Sequence, residues 1–299
     1  DRSQYDMARY RNRAVTDIVE PGSSIKPFVM AAALRSGRYR PGSIVDTSPG
    51  SVQGGIKKIT DKHNLGQASL TTILAKSSNV GMAKIALSLE PKQIHDTLTG
   101  LGFGQVTASG FPGESAGLLS AASHWRPIGI ATLSYGYGMS VTPLQLAQAY
   151  ATIGSFGIRR PVTFRRVDGP VPGERALEQE VSRDMIGLLE SVVSPDGTGS
   201  KANVPGYRVA GKTGTAWKAA AGGYSTNRYT SVFAGLVPAS RPRLAVVVLI
   251  DEPSGSLFYG GDVAAPVFSA VMSGALRLMG VAPDDLSQVE PATVVQATP

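Results

Sequence analysis

The chain has 299 residues, 42% hydrophobic and only 17% charged, with a formal net charge of +7. It has no cysteine and 3 histidines, which excludes a disulfide scaffold, a thiolate nucleophile and Cys-ligated metal, and leaves a multi-His metal site hard to build. Lys and Arg are scattered without a dense run, so the charge reads as a solvated basic surface and no nucleic-acid partner is expected.

The length allows roughly two domains, or one with insertions. Residues 1–20 are polar, with a short strand expected at 15–18. A helix is expected over 23–34, ending at Gly37, with Pro27 in its first turn, where a missing N–H costs little. Residues 41–67 read as loops with short strands. Helices follow over 70–76 and 80–89, interrupted by Ser77-Ser78-Asn79, and another runs from Pro91 to about Gly100. Residues 102–127 show no periodicity and read as a long surface segment. Thr142-Pro143 caps a helix reaching about Ile153, and an amphipathic helix covers 176–193. Strands are expected at 207–216, 229–237 and 243–251, the last two joined as a hairpin across Pro238 to Pro242. A helix over 264–279 closes the fold, and 281–299 read as a loose tail. The longest apolar run, 244–250, is far short of the about 20 residues that span a bilayer. The order is helices, then an antiparallel sheet, then a helix against it, which is α+β.

Three motifs compete for the chemistry. Gly206 to Thr213 fits a phosphate loop, G-x-x-x-x-G-K-[ST]. Such a loop needs an apolar strand before it and a helix after it. Here polar residues precede, and Gly214, Gly222 and Gly223 follow. Gly113-Glu114-Ser115-Ala116-Gly117 is a literal G-x-S-x-G. No apolar strand precedes it, and only His124 follows, with no acid between. The third is an ordered set: Ser23-Ser24-Ile25-Lys26, then Ser77-Ser78-Asn79, then Lys212-Thr213-Gly214-Thr215. Each piece is weak alone, and the ordered set is far more specific: it is the acyl-serine set of penicillin-binding proteins and class A β-lactamases.

The placement of that set suits a mechanism. Ser23 and Lys26 share a face at a helix start. Lys26 can take the Ser23 proton only when neutral, and burial plus the like charge of Lys212 would make it so. Ser77 and Asn79 fall where a helix breaks and can face a cleft. Lys212 and Thr213 can receive a carboxylate, and Gly214 is expected to let a substrate backbone approach the strand edge. The N–H groups of Ser23 and Thr215 are candidate oxyanion donors.

At these residues the sequence resembles the class B penicillin-binding proteins, and within them the division-specific penicillin-binding protein 3 type. The likeness extends through Arg11 to Asp17, Glu20-Pro21-Gly22-Ser23, Lys76 to Gly81, Phe111 to Gly117, Tyr135 to Ile153 and Asp196 to Ala216. It implies a penicillin-binding/β-lactamase-like transpeptidase fold: an antiparallel sheet flanked by helices, plus an all-helical subdomain. The expected domain is 1–280, with a helical part at about 37–190 inserted into a sheet part of 1–36 plus 200–280, and a flexible tail at 281–299.

The resemblance implies a serine D,D-transpeptidase that cross-links peptidoglycan stem peptides ending in D-Ala-D-Ala at the division septum. Ser23 would be acylated, and β-lactam antibiotics would acylate it too. Lys26 would be the base, Ser77 a proton relay toward Lys212, Asn79 a ligand for the substrate amide, and Thr213 and Thr215 the carboxylate holders. Tyr229, Phe258 and Tyr259 would form an aromatic wall. Trp217 stands where relatives often carry a basic residue, and His63 matches a position read as structural. No cofactor and no metal are implied. Family members begin with a cytoplasmic tail, a membrane helix and a pedestal domain, so this chain is expected to be a catalytic domain from the periplasmic face of the inner membrane. Division-complex membrane proteins would bind through regions it lacks. A D,D-carboxypeptidase or a β-lactamase-like hydrolase differs mainly in the acceptor. For a lactamase, Glu114, Glu174 and Glu178 sit in no recognisable deacylation motif. A β-lactam sensor and a phosphate-loop ATPase stand further off.

Overall fold

The computed structural model describes residues 11–54, 57–169, 171–220, 222–285 and 287. The segment expected to start as a strand at 15–18 is instead a helical turn, Arg13–Thr16, capped by the Asn12 side chain on Ala14 N. Only Val19 bridges, to Val141. A 3₁₀ turn, Gly22–Ile25, leads into helix α1 (Lys26–Arg35), which is buried along nearly its whole length. Helices α2 (Leu70–Ala75), α3 (Asn79–Leu87), α4 (Pro91–Gly100), α5 (Pro127–Leu133), α6 (Pro143–Gly154) and α7 (Gln179–Val193) follow, and α3, α4 and α7 pack directly on α1.

Local chemistry sets several of these ends. Thr142 accepts from Gln145 N while the Gln145 side chain accepts from Thr142 N, a reciprocal cap that starts α6. Pro143 follows at the first helical position, as Pro91 does in α4. Short two-stranded ribbons, 44–46 with 67–69 and 51–54 with 57–60, lie between α1 and α2.

The sheet has three antiparallel strands in the order β1 (Ala210–Ala220), β2 (Gly223–Val237), β3 (Leu244–Asp251), with β1 at one edge. Its two faces divide the core by strand parity. Val232, Ala234 and Leu236 of β2, with Ala245, Val247 and Leu249 of β3, face the main helical core. Phe233 and Val237, with Leu244, Val246, Val248 and Ile250, face helix α8 (Ala265–Leu278). Phe233 and Phe268 meet there, with ring centroids 4.8 Å apart. Covered on both faces, β3 therefore reads as an unbroken apolar run rather than an alternating one.

Residues 281–285, expected to open a loose tail, are held against the fold. Asp284 accepts from Arg208 N at 2.7 Å and Ser240 N at 3.1 Å, and its own N–H and that of Asp285 donate to Gly206 O. A carboxylate satisfying two loop N–H groups fixes 281–285 against the sheet; 286 and 288–299 lie outside the described residues. Among the described residues no helix is long and apolar enough to cross a membrane.

Candidate active site

A cleft of about 640 Å³ opens at the β1 edge of the sheet. It is lined by parts of all three motifs: Ser23; Ser77, Ser78 and Asn79; Thr213, Gly214 and Thr215. The 3₁₀ turn explains the first pairing. In that geometry residues three apart eclipse, and Lys26 N–H donates to Ser23 O across the turn. Gly22 adopts φ +53°, and a Cβ there would meet the Thr215 carbonyl oxygen at 3.1 Å, so the turn backs directly onto β1.

Ser77 sits in left-handed backbone at φ +58° between α2 and α3. Lys26 Nζ donates to Ser77 O at 2.6 Å, to Ser77 Oγ at 3.1 Å and to Asn79 Oδ1 at 2.7 Å. Lys212 Nζ donates to the same Ser77 Oγ at 3.0 Å, and to Thr213 O at 3.2 Å and Oγ1 at 3.3 Å. One hydroxyl thus bridges two amines, and both lysines are fully buried. Burial, then the charge of Lys212, holds the Lys26 amine well below its ordinary range, while the Asp61 carboxylate pulls the other way. Burial lowers Lys212 to about 7.

Ser23 is half-buried in the cleft, and its hydroxyl has no hydrogen-bond partner among the described residues. The amine meant to activate it is engaged by Ser77 and Asn79. Among the described residues no hydrogen bond joins the Ser23 hydroxyl to the Lys26 amine; in ligand-free sites such bonds are often long and tighten only on a substrate. Asn79 uses Oδ1 for Lys26, which leaves its amide N–H₂ uncommitted among the described residues. Thr215 Oγ1 accepts from Gly260 N at 3.0 Å, which leaves its O–H to donate. Thr213 Oγ1 lies 3.0 Å from Thr198 Oγ1.

A Cβ on Gly214 would lie 2.8 Å from Pro21 O and 3.2 Å from Ser24 N. Its missing side chain admits the turn that carries Ser23. Of the three aromatics, Tyr259 lines the cleft, with its hydroxyl accepting from Lys62 at 3.0 Å. Phe258 lies between it and Tyr229, with centroids at 4.5 and 4.1 Å. Trp217 is half exposed two residues beyond Thr215, and His63 lines the cleft beside Lys62.

Asp61 was not singled out by sequence. It accepts from Ser78 Oγ, from Asn79 N at 2.6 Å and from Val80 N at 3.2 Å, capping α3 from 18 residues away. The only signal was its place in Asp61-Lys62-His63. Thr198, hidden in a Gly-rich helix stop, was also missed. The rival motifs dissolve: Lys212-Thr213 continues into strand, not helix, and Glu114 is consumed by Thr107 and Ser109 within its loop.

The penicillin binding protein transpeptidase domain family matches residues 1–273. The chain belongs to that family. It is 46% identical over 277 residues to Peptidoglycan D,D-transpeptidase FtsI of Escherichia coli K12, covering 93% of this chain and 47% of that protein. It is 41% identical over 278 residues to Probable peptidoglycan D,D-transpeptidase PenA of Neisseria meningitidis serogroup A, covering 93% and 48%. The chain thus spans about half the length of these curated relatives. The solved transpeptidase domain of Burkholderia pseudomallei penicillin-binding protein 3 superposes with a TM-score of 0.88 at 42% identity, covering 92% of this chain and 83% of that one. The expected α+β transpeptidase fold of this family is therefore the observed one.

Proposed function

We propose that this penicillin-binding domain is a serine D,D-transpeptidase that cross-links peptidoglycan stem peptides at the division septum, on the periplasmic face of the inner membrane. The observation that carries the reading is the Ser77 hydroxyl held between two buried amines, Lys26 at 3.1 Å and Lys212 at 3.0 Å, in the cleft that presents Ser23.

Neutral Lys26 takes the Ser23 proton as Oγ attacks the penultimate D-Ala carbonyl. The oxyanion is received by the N–H groups of Ser23 and Thr215. The C–N bond breaks, and the leaving D-Ala amine takes a proton delivered from Lys26 through Ser77. An acceptor amine then attacks the ester and gives its proton back along the same path, restoring Ser23. Lys212, Thr213 and Thr215 hold the terminal carboxylate, and Asn79 the stem amide. β-Lactams enter by the same first step, and their acyl-enzymes persist.

That persistence has a structural argument. Among the described residues, the carboxylates lining the cleft are Asp61 and Asp262. Asp61 is committed to three donors, and Asp262 pairs with Lys201 at 2.7 Å. Neither is positioned as a spare base for water, so a β-lactamase reading is disfavoured. Incubation with a labelled penicillin and intact-mass measurement tests the proposal. A single stable adduct, absent in Ser23→Ala, is expected; no adduct, or one that survives that substitution, overturns it. Partners of the division complex would engage through parts of the longer relatives that this chain does not span.

A further inference from the structure

Three residues ahead of Ser23 lies a carboxylate that, among the described residues, has no cation beside it. Glu20 Oε1 accepts from Gly138 N at 2.8 Å and from the Tyr224 hydroxyl at 3.0 Å. Its Oε2 is buried and has no hydrogen-bond partner among the described residues. Some other carboxylates drawn into the fold are ion-paired: Asp17 with Arg11 and Arg13, Asp251 with Arg13 and Lys218, Glu190 with Arg208; Asp61 and Glu114 have neutral donors, but on both oxygens. Glu20 has neutral donors alone. A covered charge is expected to be paired, so Glu20 reads as half of a pair whose other half arrives from outside.

The surroundings suit a cation. Tyr137 and Tyr224 meet edge to face at 5.3 Å, and Tyr135 joins them at 5.8 Å. Trp217 N donates to the Tyr137 hydroxyl at 3.4 Å. Trp217 and Tyr224 are 49% and 45% exposed, so ring surface faces solvent at the cluster's edge. Aromatic faces around a carboxylate are a recognised host for ammonium groups. Burial, then the hydrogen bond to Glu20, raises the Tyr224 hydroxyl above its ordinary range, so it is a neutral donor that a cation outcompetes.

The cluster is linked to the site along the chain. Glu20 runs into Pro21-Gly22-Ser23, and Trp217 follows Thr215 on the same face of β1. We propose that Glu20, with the rings of Tyr137, Tyr224 and Trp217, is a subsite for a primary ammonium group carried by a stem peptide. The ammonium displaces the Tyr224 hydroxyl from Oε1 and satisfies Oε2. This inference rests on the transpeptidase reading. The ammonium belongs either to the donor stem's side chain or to the acceptor strand.

Two acyl-D-alanyl thioester donors, identical except for a free or an acetylated side-chain amine, measure the first source through the rate of Ser23 acylation. Preformed acyl-enzyme, offered a diamine or the matching monoacetylated amine, measures the second through its partition between aminolysis and hydrolysis. One of these ratios is expected to favour the free ammonium by about tenfold in the unaltered protein. It falls to near one in Glu20→Gln, which keeps an oxygen for Gly138, and several-fold in Tyr224→Leu, a half-exposed site outside the core. If the acetylated donor acylates Ser23 and both ratios are one, or if the preference survives Glu20→Gln, the subsite is wrong and the transpeptidase reading stands. If neither donor acylates Ser23 in the unaltered protein, both fall.

Discussion

Lys26 donates to the carbonyl of Ser77 at 2.6 Å, and that carbonyl is available because Ser77 takes a left-handed backbone, φ +58°. A non-glycine residue pays about 1–2 kcal/mol for this conformation. The chain tolerates it where the same residue must also offer its hydroxyl to two lysines. The strain and the chemistry can be separated by substitution. Ser77→Ala and Ser77→Gly both lose the bridging hydroxyl, and penicillin acylation is expected to fall about 10²- to 10⁴-fold in each. Chemical denaturation should split them, with glycine more stable than alanine by about 1 kcal/mol. Equal stabilities would mean that the backbone here carries no strain.

The acid limb of the acylation profile should follow Lys26, which must be neutral to act as base. Two neighbours bias it in opposite directions. Lys212 lowers its pKa by like charge, and Asp61 raises it by opposite charge. Lys212→Met should move the acid limb to higher pH, and Asp61→Asn should move it lower. Stopped-flow acylation by a reactive penicillin between pH 5 and about 9 spans the window. Shifts of the same sign in both variants would show that Lys26 is not the titrating base.

Lys212 also links stability to pH. Its folded pKa of about 7 lies below the ordinary 10.5, so the unfolded chain binds more protons between those values. Stability therefore rises with pH across that window, and the burial penalty is full below it. The melting temperature of the unaltered protein should climb relative to Lys212→Met from pH 7 toward 10. A flat difference across that range would place the lysine in a wetter site than the fold shows.

Much of this arrangement was legible because it is local. Pro91 and Thr142-Pro143 start helices through contacts within four residues, and the apolar run at 244–250 is a strand covered on both sides. Ser23 and Lys26 are joined by a single turn. What stayed hidden was one local cap that the apolar pattern outweighed, and contacts made by distant chain. Val15 reads as strand-forming, yet Asn12 caps a helical turn over it. Asp61 is separated from α3 by the ribbon end and α2, and nothing in its own neighbourhood marks it as a cap. Gly214 sits in a strand motif that reads as substrate approach, and only the tertiary packing shows that its missing Cβ also makes room for the Pro21 carbonyl.

Losing the Asp61 cap should be costly. Asp61→Ala strands the N–H groups of Asn79 and Val80 and the Ser78 hydroxyl, and caps of this kind are worth about 0.5–2 kcal/mol, more when the acceptor is charged. Denaturation should show that loss. Acylation should fall as well, because α3 carries Asn79, whose Oδ1 holds Lys26 at 2.7 Å. A destabilised variant that acylates at the unaltered rate would confine Asp61 to folding.

Glycines test how tightly the nucleophile turn is wedged. A Cβ on Gly136 would fall 2.1 Å from the Gly22 carbonyl oxygen and 2.5 Å from its Cα, and both atoms are backbone that cannot swing aside. Gly37 has a comparable positive φ, +72°, but its Cβ would meet nothing within 4 Å. Gly37→Ala should therefore cost only the left-handed penalty of about 1–2 kcal/mol, with acylation intact. Gly136→Ala carries that penalty and a backbone clash that displaces Gly22, and with it Ser23 from Thr215. It should lose more stability than Gly37→Ala, and also lose acylation by a factor that stability alone does not explain, measured at a temperature where both variants are folded. Equal acylation rates in the two variants would mean that the turn shifts freely against β1, and that its registration with the strand does not set the reactivity of Ser23.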